Sequence, residues 1–340
     1  MMEGEVGRND GLSPRLPLQT SAHSHGVQVS GPKSTLTVVD DTAHQSHRPS
    51  NSSSPSCPLV SVIVPTKNSG PTLERCLRSI REQSYRNVEV WVVDNYSSDN
   101  TLEIATRFTK NLIQIGPERS AQTNEGVVRA RGDFIFRVDS DFTLDRTVIE
   151  EAARRALEGF DAIVVHNAPD VRVSRLARLR KFETDMYRYD LTNSAARFIR
   201  RSTFLKVGGY NSSITAGEDY DLQNRLNRAG VTTGFIEPFA IHLGEPTDLL
   251  TLLNKYYRYG IDFVNYVSEN HVEAPAQLGI VRMAYVRHWR AFVRQPLLGF
   301  ELMIYHTMRF VAGLAGYVVG KLDGRRHEDV GSDRYFEGVR

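Results

Sequence analysis

The 340-residue chain is predicted to be an α/β protein with a mostly parallel, Rossmann-like sheet flanked by helices, followed by a C-terminal helical appendage that associates with a membrane. Three observations predict it. Short β-branched runs alternate with amphipathic helices between residues 59 and 138, polar clusters follow the ends of three of those runs, and a basic, aromatic stretch leads into an apolar one after residue 280.

Residues 1–57 are rich in Ser, Pro, Gly, His and Thr and carry no sustained hydrophobic period, so they read as a disordered tail. Its histidines, His23, His25, His44 and His47, are read as solvated. Glu3, Glu5, Arg8 and Asp10 occupy the N-terminus without an apolar run, so neither a signal peptide nor an N-terminal anchor is expected. Cys57 and Cys76 are too few for a disulfide framework and point to a reducing compartment. With 42 basic and 40 acidic side chains the net charge is +2, which gives no electrostatic case for a nucleic-acid partner.

Order begins at Leu59-Val60-Ser61-Val62-Ile63-Val64-Pro65, an apolar run suited to a buried parallel strand. A helix follows over 71–83, with Leu73, Leu77 and Ile80 at helical spacing and Pro71 near its first turn. A strand over 88–94, a helix over 100–108, a strand over 112–115, a helix over 120–131 and a strand over 134–138 repeat the pattern. Ligands of such sheets bind beyond the carboxyl ends of the strands. Pro65-Thr66-Lys67-Asn68, Asp94-Asn95 and Asp139-Ser140-Asp141 all fall there.

In an extended segment the carboxylates of Asp139 and Asp141 point to the same side, which suits a hard cation such as Mg²⁺ or Mn²⁺ shared with substrate phosphates. A pair of solvated loop aspartates is the alternative. Asp94 is placed to accept hydrogen bonds from a base or ribose, with Ser97, Ser98 and Asp99 better placed to cap the next helix.

Further motifs join these in order: Ser97-Ser98-Asp99-Asn100-Thr101, Asn124-Glu125-Gly126, Ala130-Arg131-Gly132-Asp133, Phe198-Ile199-Arg200-Arg201, Val207-Gly208-Gly209-Tyr210 and Ala216-Gly217-Glu218-Asp219-Tyr220-Asp221-Leu222. With the strand-end clusters they resemble the successive motifs of family 2 glycosyltransferases over roughly residues 59–260. That resemblance implies a GT-A catalytic domain, here 58–270, and inverting transfer of a sugar from a nucleotide-diphosphate donor to a hydroxyl acceptor, lipid-linked or saccharide. It implies nucleotide contacts from Pro65, Thr66, Asn68, Asp94, Asn124 and Asp139, metal binding by Asp139 and Asp141, and a general base at Asp219 with Glu218 beside it. Arg119, just before the helix carrying Asn124, is a candidate diphosphate or nucleoside contact or a surface arginine. His242 is a further candidate metal ligand or a histidine buried beside a strand. Asn95-Tyr96-Ser97 and Thr123 depart from the family pattern and leave the nucleotide unspecified.

A base on one face and a metal on the other also follow from the chemistry, because the acceptor hydroxyl must lose its proton opposite the departing diphosphate. The rivals are a sugar-phosphate nucleotidyltransferase and a catalytically silent nucleotide-sugar-binding scaffold.

Residues 271–325 form an amphipathic and apolar helical segment, and 326–340 a polar tail. Over 281–294, Tyr285, Val286, Trp289, Phe292 and Val293 are predicted on one helical face beside Arg287, Arg290 and Arg294. Residues 296–320 are apolar but interrupted by Glu301, His306 and Arg309, so 281–320 is expected to lie in a membrane surface or pack on the domain rather than span. The expected place is the cytoplasm, peripheral at the inner face of the plasma membrane.

Overall fold

The computed structural model describes residues 57–323; the expectations for the N-terminal segment and its four histidines, and for the tail 326–340, lie outside them. The chain runs β1 (Val60–Thr66), α1 (Gly70–Arg81), β2 (Val88–Asp94), α2 (Thr101–Thr106), β3 (Asn111–Gln114), α3 (Arg119–Arg129) and β4 (Phe134–Arg137). Then follow β5 (Phe142–Leu144), α4 (Val148–Leu157), β6 (Ala162–Val164), β7 (Asn167–Pro169), α5 (Arg175–Met186), β8 (Phe198–Arg200), α6 (Arg201–Lys206) and α7 (Glu218–Arg228). The last elements are β9 (Thr233–Phe235), β10 (Ala240–His242), α8 (Leu249–Glu269), α9 (Ala274–Leu278), α10 (Met283–Arg287), α11 (Trp289–Arg294) and α12 (Pro296–Leu322).

β1 is the hub because every one of its residues is buried. The two-residue period of a strand sends Val60, Val62 and Val64 to one face, against Leu73, Leu77 and Ile80 of α1, and Ile63 to the other, against Val127 of α3. Both faces of the sheet are therefore covered, and the order is β3-β2-β1-β4-β8-β6-β9. β1 to β4 pair parallel, as the alternation of strands and helices predicts.

β8 departs from that pattern by pairing antiparallel with both β4 and β6. Its start therefore lies beside the end of β4, and the Arg137 N–H donates to the Arg197 carbonyl at 3.0 Å. A second sheet, β5-β10-β7, sets His242 opposite Phe142. Both arrangements deliver side chains to the strand ends.

The C-terminal segment packs on α8. A Cβ on Gly260 would overlap the Gly313 carbonyl and one on Gly316 the Tyr257 carbonyl, so these glycines let α8 and α12 meet backbone to backbone. The polar residues that interrupt α12 face the domain: Arg309 pairs with buried Glu183 at 2.5 Å, His306 meets the Ile280 carbonyl at 2.9 Å, and Glu301 pairs with Arg175. The single helix predicted over 281–294 is instead two short ones that break at His288. The break lets Tyr285 turn inward, where its hydroxyl donates to Glu183 at 2.6 Å and its ring packs on Phe292, while Val286, Trp289 and Val293 stay exposed.

Burial opposes the charge of Glu183, yet Arg309 and the hydroxyls of Tyr285 and Tyr187 hold its carboxyl well below the usual range. A depressed carboxyl contributes stability above its unfolded pKa and loses it as pH falls through the folded one. Arg309→Met is expected to cost about 3–5 kcal/mol by leaving Glu183 unpaired, with Glu183→Gln in the same chain recovering part of it. Urea denaturation of the three variants checks this, and the gap between wild type and the double variant should shrink below about pH 4.

Candidate active site

Three loops meet at the carboxyl ends of β1 and β2 and the start of α3. Asp94, fully buried, accepts from the Thr66 hydroxyl at 2.9 Å, the Ser97 N–H at 2.8 Å and hydroxyl at 2.5 Å, and the Gln114 amide at 3.2 Å. Its carboxylate thus shapes the loop after β2 as well as standing behind it. Asn68 has a left-handed φ of 47° and ties the two loops, its N–H donating to Ser97 Oγ at 2.8 Å and its Oδ1 accepting the Ser98 N–H at 2.9 Å. Pro65 is buried in β1, opposite Val93. Lys67 donates to the Asn95 carbonyl at 2.7 Å, and the Gln122 amide bridges the carbonyls of Thr66 and Val93 at 2.9 and 2.6 Å.

Beside this cradle stands a cluster of charges centred on Arg137, the last residue of β4, whose side chain is 1% exposed. A guanidinium so placed must be paired. It donates to Asp139 at 3.0 Å and to Glu218 at 3.2 Å and lies over the Tyr210 ring at 4.9 Å. Asn124 fixes that ring from behind, pairing with the Tyr210 backbone at 2.8 and 2.9 Å, and is itself buried there. Arg119 closes on Glu218 at 2.5 Å and approaches Asp139 at 3.9 Å, and Arg197 reaches Asp139 at 3.0 Å. Burial works against Asp139 and Glu218, but Arg137, Arg197 and Arg119 hold the first, and Arg119 and Arg137 the second, below the ordinary carboxylate range.

Asp219 differs. Glu218 and Asp219 open α7 behind Gly217, whose φ of 86° gives the turn its left-handed cap, so the pair occupies the first turn of the helix. Among the described residues the Tyr220 N–H, at 3.0 Å, donates to the Asp219 carboxylate, and no basic side chain stands within ion-pair distance of it. Burial, then the Glu218 charge, push its pKa up against the pull of Arg197, Arg137 and Arg119. The pKa values of two adjacent carboxyls are thus shifted in opposite directions.

Asp139 and Asp141 do not lie on an extended segment: the Phe142 N–H returns to the Asp139 carbonyl at 3.0 Å, making a turn. Asp139 therefore joins the arginine cluster and Asp141 meets His242 Nε2 at 2.9 Å. His242 Nδ1 meets Glu245 at 2.5 Å, and Glu245 in turn pairs with Arg180. A carboxylate and an imidazole, with an outer carboxylate orienting the ring, make a donor pair that suits Mn²⁺ sharing substrate phosphates. Asp139 would join it only by exchanging an arginine contact. Among the described residues no cluster of three or more protein ligands is present.

Two cavities flank the acidic pair. One, of about 370 Å³, is lined by Lys67, Asn95, Arg119, Gln122, Thr215 and Glu218. The other, of about 570 Å³, is lined in part by Asp219, Arg197, Asn193 and Tyr256. Residues 61–211 match the family model described as glycosyl transferase family 2. That stretch of the chain is glycosyl transferase family 2 sequence.

Similar proteins extend that match. The glycosyltransferase GlyG of Streptococcus pneumoniae is 34% identical over 116 residues, 32% of this chain and 38% of that protein. The glycosyltransferase AglE of Haloferax volcanii is 27% identical over 222 residues, 60% of this chain and 72% of that one. The GalNAc(5)-diNAcBac-PP-undecaprenol beta-1,3-glucosyltransferase of Campylobacter jejuni is 31% identical over 113 residues, 30% and 36% respectively. The chain thus spans little more than a third of the pneumococcal and Campylobacter relatives. The mannosyltransferase PcManGT from Pyrobaculum calidifontis, solved with GDP-Man and Mn²⁺, superposes with a TM-score of 0.56 at 17% identity over 78% of this chain and 88% of that one. The fold is GT-A.

Sequence reasoning passed over Arg137 and Arg197, the cations that hold Asp139. A charged residue closing an apolar strand was the available signal for Arg137, since a buried guanidinium demands anions nearby. Arg197 had none, because its place depends on the antiparallel course of β8. In this domain Glu218→Gln is expected to lose about 3 kcal/mol, because Arg137 and Arg119 are then left with Asp139 as their one shared counter-ion. Asp219→Asn is expected to raise Tm, because a carboxyl with a raised folded pKa costs stability once ionised. Thermal melts at pH 7.5 distinguish the two.

Proposed function

We propose that the chain is an inverting glycosyltransferase that moves a sugar from a nucleotide-diphosphate donor to a hydroxyl acceptor, with Asp219 as the general base. The observation that carries this reading is the free Asp219 carboxylate with its raised pKa, facing the 570 Å³ cavity, while its neighbour Glu218 lines the 370 Å³ one. The smaller cavity takes the donor: Lys67, Asn95 and Gln122 surround the nucleotide, with Arg119 facing the diphosphate. The larger takes the acceptor.

An acceptor hydroxyl beside Asp219 gives its proton to that carboxylate as its oxygen bonds to the anomeric carbon. The bond from that carbon to the diphosphate oxygen breaks and its electron pair leaves with the nucleoside diphosphate. One displacement from the opposite face inverts the centre. Arg119, Arg137 and Arg197 exceed Asp139 and Glu218 by one positive charge, which offsets the ionised Asp219 carboxylate that takes the proton. Asp141 and His242, and Asp139 after exchange of an arginine, would hold Mg²⁺ or Mn²⁺, which when bound offsets charge on the leaving diphosphate.

The reading places the protein at the cytoplasmic face of a membrane. α12 is, among the described residues, the one helix long and apolar enough to cross a bilayer, and it turns Leu297, Phe300, Ile304, Val311, Val318 and Leu322 outward on one face. Exposed Trp289 and Val293, with Arg290 and Arg294 beside them, extend that face with positive charge. Supporting relatives bear the names of glycosyltransferases, one of them acting on an undecaprenol-linked substrate.

Asp219→Asn is expected to cut kcat by about 10²–10⁴-fold while leaving donor affinity within severalfold. A nucleotide-sugar panel with nucleoside-diphosphate readout measures it; an unaffected kcat, or activity indifferent to EDTA, sinks the mechanism, and pyrophosphate as product would mark nucleotidyl transfer instead. The wild-type rate should fall as pH drops through a pKa above the ordinary carboxylate range, since only ionised Asp219 accepts the proton. On flotation the protein is expected to follow vesicles containing anionic lipid, and Trp289→Ser with Val293→Ser to weaken that partition.

A further inference from the structure

Asp94 is closed to a ligand. Its carboxylate is fully buried and both oxygens are taken, one by the hydroxyls of Thr66 and Ser97, the other by the Ser97 N–H and the Gln114 amide. A carboxylate accepts about four hydrogen bonds, so none is left for a nucleobase. The 370 Å³ cavity offers a base no apolar partner either: Lys67, Asn95, Arg119, Gln122, Thr215 and Glu218 make a polar lining, and no aromatic ring is among the residues around it. A planar base has two faces that stack on aromatic side chains, and such a lining leaves both without one.

The loop after β2 does provide a ring. Tyr96 follows directly on Asn95, which lines the cavity, and it is 63% exposed, the one large apolar side chain left in solvent among the described residues ahead of Leu157. Its φ of 48° lies in the left-handed region, where a bulky side chain is strained and Gly, Asn or Asp is usual. The residues on both sides enforce that conformation. The Asn95 N–H donates to the Thr66 carbonyl at 2.8 Å and the Asn95 carbonyl accepts from Lys67 at 2.7 Å, while the Ser97 N–H donates to Asp94 at 2.8 Å and Ser97 Oγ accepts from the Asn68 N–H at 2.8 Å. The Tyr96 side chain itself has no hydrogen bond or ring contact among the described residues. Nothing within the protein offsets the strain of a tyrosine there, and strain of this kind gathers where a ligand is held.

We infer that Tyr96 is the stacking platform for the nucleobase of the donor, and that Asp94 is a positioning residue that acts on the base only through the turn it holds. The inference rests on the glycosyltransferase reading and names the residue that takes the base. With the diphosphate on Arg119 and the ribose beside Lys67 and Asn95, the base leaves the cavity past Asn95 and lies on the ring. A stacked base is recognised by its face rather than its edge, so the contribution of the ring is made to whichever base the donor carries.

The test titrates the full chain, with Mn²⁺ present, against UDP, GDP, ADP, dTDP and inorganic pyrophosphate, with affinity read by calorimetry. Asn and Gly adopt the left-handed conformation without supplying a ring, so Tyr96→Asn and Tyr96→Gly keep the turn. Both are expected to weaken the nucleoside diphosphates that the wild type binds about tenfold, the contribution of one stacked base, while pyrophosphate stays within about twofold and Tm does not fall. Tyr96→Phe keeps the ring and should stay within about twofold for every ligand. Asp94→Asn added to Tyr96→Asn should lower nucleotide affinity by less than about a further twofold, because the turn then presents nothing to the base. Undiminished nucleotide affinity in Tyr96→Asn and Tyr96→Gly, an equal loss of pyrophosphate, a Tm well below wild type in both, or Tyr96→Phe falling as far as Tyr96→Asn overturns the platform. A large further fall on adding Asp94→Asn, with pyrophosphate still bound, overturns the positioning role. A wild type that binds no nucleoside diphosphate at all would instead overturn the function on which the inference rests.

Discussion

The pairing of Arg137 is the constraint on which the rest of the site depends. A guanidinium with almost no access to water at the end of the central sheet requires anions at fixed places, and Asp139 and Glu218 are those anions. Meeting Glu218 pins the first turn of α7 to the end of β4. Because successive residues of a helix diverge by about 100° around its axis, the next side chain, Asp219, leaves the cluster and faces the other cavity. The anchored carboxyl and its neighbour thus differ by one position in the chain and by opposite pKa shifts.

The two aspartates of the Asp139-Ser140-Asp141 motif are separated by the same logic. A turn divides them, the antiparallel start of β8 brings Arg197 to the first, and the pairing of β10 with β5 brings His242 to the second. Each acid is defined by a partner from a distant part of the sequence. Asn124 acts at one remove, since it holds Tyr210, whose ring lies against Arg137.

The appendage follows from burial as well. Glu183 is covered by α12 and would be a costly lone charge without Arg309, so the polar breaks in that apolar helix serve to dock it on α5 and α8. Docking leaves the opposite row of apolar residues outward and encloses the larger cavity between α8, α12 and the edge of the sheet. The outward apolar row and the larger cavity are then two sides of one helix.

Much of the fold was legible in the sequence. The first four strands and three intervening helices follow from short apolar runs, helical spacing and strand-end polar clusters, and they occur within a few residues of where those patterns place them, because local periodicity and turn chemistry are short-range. The order of motifs determined the family and marked Asp139, Asp141, Glu218 and Asp219. The three-residue strands β5, β7 and β10 carry too little periodicity to be read, as does the reversed direction of β8. Tertiary structure alone decided that Arg137 and Arg197 hold Asp139, that Glu218 is tethered while Asp219 is free, and that Glu301, His306 and Arg309 face inward. Each of those outcomes turns on which distant groups share a buried space, and the electrostatic cost of an unpaired charge there is a property of the assembled fold rather than of any local stretch of chain.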